Sequence, residues 1–237
     1  MAAWHDLVLS AKRSTWRMHD HAGEADQQFQ QQRGAVLQRA DRRCWYCELR
    51  AEKWQEVHHV DDDHANQADS NLVCACPLCH QVFHLGLAGL HDGGEIILAP
   101  EFSQVELNAL TLGIWLAVAG GGECGKAAKT VYDELRSRNH LVTTVFREWA
   151  REAKVKLQEP FRFTPDMLAN ALMSIPDEQY DNRAQLMGGL RLLPKDTRFA
   201  DQLHHWIAHY RQALPSSQWH KIVRDFSGLV ASVERTA

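Results

Sequence analysis

No hydrophobic run in this 237-residue sequence approaches the roughly 20 residues that cross a bilayer, so membrane insertion is not expected. The opening residues, MAAWHDLVLSAKR, lack the charged start and long apolar core of a secretory signal, and a cytoplasmic location is the expectation. A basic excess is missing too: 26 Lys and Arg stand against 30 Asp and Glu, a formal net charge of -4. Nucleic-acid binders draw most of their non-specific affinity from neutralised phosphates, so contact with DNA would need a local patch or a partner. Internal repeats, low-complexity tracts and flexible linkers are absent as well. What remains is an ordinary composition, 45% hydrophobic and 24% charged, enough for one sizeable domain or two small ones.

The informative stretch is residues 44–84, CWYCELRAEKWQEVHHVDDDHANQADSNLVCACPLCHQVFH. The chain has six cysteines, and without a secretory signal a disulfide framework is not expected. Two Cys-x-x-Cys pairs, Cys44/Cys47 and Cys76/Cys79, read as metal ligation, because four thiolates delivered from two knuckles satisfy a structural Zn2+. Cys74 is an alternative to Cys76, although Cys76 gives the better spacing with Cys79. Otherwise Cys74 and Cys124 read as ordinary reduced thiols.

Around this stretch the pattern is mixed. Residues 7–9 suit a strand, and Glu24 to Arg39 place Phe29, Val36 and Leu37 on one helix face. The basic end of that helix, Arg39, Arg42 and Arg43, suits its C-terminal dipole or a phosphate contact. Residues 54–60 and 71–73 read as strands either side of a loop holding Asp61, Asp62, Asp63 and His64. Pro77 opens a helix, and residues 96–98 form a further short strand. Ser103 and Glu106 make a capping box for a helix that ends at the glycines of 120–122. Helices are expected over 126–138, 140–153 (where the β-branched residues also allow a strand), 165–174, 177–190, 195–212 and 217–233. The fold class is therefore α+β: a zinc-bound module in residues 1–100, then an all-helical region in 101–237 packed on it.

The histidines of the central stretch carry a first resemblance. A His-His pair at His58 and His59, then Asn71, then His80 and His84, is similar to the ββα-metal site of HNH nucleases on a treble-clef frame. The resemblance implies His59 as the general base that deprotonates the attacking water. It makes Asn71 the residue that orients that imidazole or holds the hairpin. It assigns His58, His80 and His84 to a second divalent cation, Mg2+, Mn2+, Ni2+ or Zn2+, that would stabilise the phosphate and the leaving oxygen. An endonuclease is one function this implies, with DNA as its partner.

A second resemblance covers nearly the whole chain. The segments SNLVCACPLC, IILAPEFSQVELNAL, TVYDELRSR and GLRLLPKDTRFADQLHHW resemble the IcmJ/DotN family of type IVB secretion systems. That resemblance implies a zinc-bearing cytoplasmic subunit recruited to the inner-membrane face. Its partners would be the type IV coupling ATPase and its adaptor subunits, in protein export or conjugation.

Overall fold

The computed structural model describes residues 5–11, 24–61 and 66–210. Asp62, Asp63, His64 and the helix expected over 217–233 lie outside the described residues. Helix α1 (Glu24–Arg39) is followed by a turn region holding the first cysteine pair, then by strands β1 (Glu56–His59) and β2 (Leu72–Ala75), which pair antiparallel. Successive strand residues point to opposite faces, and the register pairs Val57 with Cys74 and His58 with Val73. One face of the hairpin, Val57, Leu72 and Cys74, packs under Val36 and Leu37 of α1 as a small separate core. The other face, with Val73 and Ala75, joins the main core.

Beyond the hairpin come α2 (Pro77–His80), a single 3-10 turn (Gln81–Phe83) and α3 (Leu85–Leu90). The expected helix at Pro77 is thus interrupted: His84 leaves helical geometry at φ -127° and ψ 51°. Residues 7–9 do not pair as a regular strand. Their segment is anchored instead where the Ser10 amide donates to the Val82 carbonyl (3.0 Å) and the Leu85 amide donates to the Ser10 carbonyl (3.2 Å).

Strand β3 (Gly94–Leu98) closes the first hundred residues, and the second half opens with the helices α4 (Gln104–Gly120), α5 (Gly122–Ser137) and α6 (Asn139–Glu152). The capping box forms as expected: the Glu106 amide donates to Ser103 Oγ, and the Ser103 amide donates to the Glu106 carboxylate. Gly121, at φ 73°, separates α4 from α5 in a backbone region that glycine adopts without a Cβ penalty. Then follow α7 (Pro165–Ser174), α8 (Asp177–Asp181), α9 (Arg183–Leu186), β4 (Leu190–Pro194) and α10 (Ala200–Tyr210).

Strand β4 corrects the expectation of an all-helical second half. It pairs antiparallel with β3, Ile96 opposite Leu192, so the two halves share a sheet. A segment as short as Leu190–Pro194 fits a buried helix turn and a strand equally well by periodicity. Helix α9 has already ended at Leu186, and Gly189 at φ 88° turns the chain into the strand that starts at Leu190. Glu95 on β3 then fastens the sheet to the helices. Its buried carboxylate accepts from Arg136 (2.8 Å) and Arg162 (3.1 Å), and Lys195 lies 3.3 Å away. Among the described residues no helix is long and apolar enough to cross a membrane.

Candidate metal centre

The first cysteine pair sits in a tight knuckle. The Cys44 amide donates to the Leu49 carbonyl and the Glu48 amide to the Cys44 carbonyl, while Arg43 bridges Arg50 across the turn. Glu48 takes a positive φ of 60°, which turns the chain back on itself. Cys76 caps the N-terminus of α2 in extended geometry, Pro77 occupies the first turn, and the Cys79 and His80 amides both donate to the Cys76 carbonyl. Pro suits that position because its missing N–H would have had no helical partner. The two knuckles are tied directly, the Trp45 amide donating to the Cys74 carbonyl at 2.7 Å.

This arrangement brings the ligand atoms of Cys44, Cys47, Cys76 and Cys79 within 4.8 Å of one another. Cys47 Sγ and Cys76 Sγ are 3.6 Å apart. Four sulfurs at about 2.3 Å from a zinc ion would stand about 3.8 Å from each other, so the set has the dimensions of a tetrahedral thiolate site. Its electrostatics suit a cation. At Cys44 burial raises the pKa, but hydrogen bonds from Cys47, Cys76 and Cys79 outweigh it and bring the thiol well below its usual value. Burial and the neighbouring sulfurs push Cys76 and Cys79 well above it. One thiolate therefore suppresses the next, and a dication at the centre would remove that repulsion. The residues fit a metal such as zinc.

Cys74 is not part of the set. It points to the α1 face, where burial first, and then the Cys44 charge, pushes its pKa up to about 12. Such a thiol is inert.

Helix α4 contributes a residue that the sequence did not flag. Asn108 Nδ2 donates to the Leu78 carbonyl (3.1 Å) and to Cys79 Sγ (3.4 Å). Gln104 holds Asn108 in turn, its Nε2 donating to Asn108 Oδ1 (2.9 Å) and to the Leu192 carbonyl (2.7 Å), while the Leu192 amide donates to Gln104 Oε1. A continuous polar chain thus runs from β4 to Cys79 Sγ.

The histidines divide between the two faces of the hairpin. His58 faces the main core, 1% exposed, its ring stacked on Phe83 at 4.0 Å and 5.4 Å from the His80 ring. Glu56, two residues earlier on the same face, contacts His80 Nδ1. His80 Nε2 and His84 Nε2 are 3.3 Å apart. Period-two alternation is the one sequence signal that places Glu56 beside His58. His59 faces α1, 4% exposed, with its Nε2 3.3 Å from Gln67 Nε2. Asn71 staples the hairpin end: its Nδ2 donates to Asp61 Oδ1 and to the Asn66 carbonyl, and its Oδ1 accepts from the Asp61 amide. Among the described residues, the four cysteines are the one group of three or more potential ligands drawn so close together.

The arginines at the end of α1 are used internally. Arg39 donates to the Asp69 and Leu72 carbonyls, Arg42 donates to the Glu52 carbonyl, and Arg43 pairs with Asp41.

No protein-family model matches the chain. The chain is similar to the type 4 apparatus protein DotN of Legionella pneumophila subsp. pneumophila, strain Philadelphia 1. The two are 27% identical over 205 residues, which cover 86% of this chain and 90% of that protein.

Proposed function

We propose that this chain is a zinc-carrying subunit of a type IVB secretion or conjugation apparatus, of the IcmJ/DotN family, which docks on the coupling ATPase and its adaptor subunits at the cytoplasmic face of the inner membrane. The observation that carries the reading is the 27% identity to DotN across most of both chains. The four-cysteine cluster supports its zinc-bearing part. Knuckle, hairpin and helix follow in the order of a treble clef, so the metal would serve to hold one rigid face for a partner. Zinc of this kind contributes folding energy and leaves no open coordination position for chemistry.

The test is co-purification of the tagged full-length chain with the coupling ATPase from its own gene cluster. The reading expects a stable complex with wild type that Cys76→Ser abolishes. Failure of the wild-type chain to retain the ATPase would remove it.

A second reading, a metal-dependent HNH-type endonuclease, draws on one observation: the Glu56, His80 and His84 side chains meet on one face of the hairpin. A carboxylate on one ring nitrogen of a histidine whose other nitrogen faces a second histidine is an arrangement that suits an ion. The cleavage machinery has less support. His59, the general base of that reading, faces α1, and the hydrogen bonds of Asn71 go to the hairpin end. Plasmid nicking with Mg2+, Mn2+ or Ni2+ separates the two readings. Equal inertness of wild type and His59→Ala ends the second one.

A further inference from the structure

A cavity of about 560 Å3 opens beside the four cysteines, walled by the first knuckle (Cys47, Glu48, Glu52), by α4 and by α10. From α10 come His205 and His209, their ring centroids 4.1 Å apart. Residues four apart on a helix stand one above the other on the same face. Trp206, fully buried, fixes the rotation of α10, so both imidazoles stay at the cavity wall.

His209 Nδ1 donates to the His205 carbonyl at 2.8 Å. With the proton on Nδ1, the neutral ring carries its free lone pair on Nε2. Metal-ligating histidines are commonly fixed by such a bond from the other ring nitrogen to a backbone carbonyl. Glu52, on the facing wall, acts electrostatically on His205 but is already held by Arg42 (3.3 Å) and Arg50 (2.9 Å).

We propose that His205 and His209 chelate a divalent transition-metal ion at the wall of this cavity, a site separate from the four cysteines. Two neutral imidazoles select Zn2+, Cu2+ or Ni2+ over Mg2+ or Ca2+. With Glu52 engaged by its arginines, the remaining coordination positions belong to water. The ion is thereby open to a donor atom entering the cavity.

The experiment is calorimetric titration of Ni2+ alone into the zinc-loaded full chain, for wild type, His205→Ala, His209→Ala and His84→Ala. The tightest Ni2+ event should weaken by about tenfold or more in both α10 variants and stay unchanged in His84→Ala. Should His205→Ala misfold through loss of its edge contact with Trp54 (5.2 Å), the exposed His209 carries the comparison by itself. Cu2+ resonance spectra of wild type should show two imidazole nitrogens, reduced to one in His209→Ala. Unchanged Ni2+ affinity in His209→Ala, or loss of the tight event in His84→Ala, would overturn the proposal.

Discussion

Asn108 donates a hydrogen bond to Cys79 Sγ at 3.4 Å, although the two lie on different elements and 29 residues apart. A donor on a ligating sulfur fixes its direction and spreads its charge, and loss of such outer partners typically costs 10–100-fold in metal affinity, roughly. Asn108→Leu should therefore weaken zinc retention by about that factor, read by competition with a chromophoric chelator. A variant as tight as wild type would leave Asn108 with a packing role only.

Removing a ligand is more severe. Cys76 lies fully buried at the start of α2 and its carbonyl caps that turn. Cys76→Ser should lose the metal and, with it, the cooperative fold of residues 44–84, because binding and folding of such a site are one equilibrium. Zinc content and the circular dichroism melt report both losses together. Chelator treatment of wild type should reproduce the variant.

The hairpin has its own small core. Leu72 is 1% exposed between β1 and α1. Leu72→Ala would leave a cavity there, and such truncations cost about 2–5 kcal/mol. Denaturant unfolding should show a loss of this size, without loss of the bound zinc at low denaturant.

Glu95 gives a pH dependence with a definite sign. Burial alone would raise its pKa, but Arg136, Arg162 and Lys195 outweigh burial and hold it below its ordinary value of 4.5. A carboxylate with a depressed folded pKa stabilises the protein above the unfolded value and loses that contribution as pH falls through the folded one. Glu95→Gln should cost about 1.5–3 kcal/mol at neutral pH. Its difference from wild type should shrink as pH drops below 4.5. A pH-independent difference would assign the loss to shape.

Much of this was legible in the sequence because it depends on neighbours along the chain. Cys-x-x-Cys spacing fixes a knuckle locally, and the second pair needs only a hairpin to bring it back. The apolar spacing of Glu24–Arg39 marks a helix, and two residues suffice to mark the Ser103–Glu106 box. Strand β4 was not legible, since its partner Gly94–Leu98 lies nearly a hundred residues earlier and its own apolar run is too short to show a period. Asn108 and Gln104 were invisible for the same reason: a polar residue on a buried helix declares its role only through what the helix packs on. The histidines were ambiguous because adjacent strand residues face opposite sides, so the run His58-His59 splits into a core residue and one under α1.

Four thiolates around one metal ion are the claim on which the rest is built. X-ray absorption at the zinc edge of the purified full-length chain tests it most directly. The expected result is one zinc per chain with four sulfur neighbours at about 2.3 Å. Nitrogen or oxygen neighbours in place of sulfur, or cysteines joined to one another with no zinc bound, would contradict it.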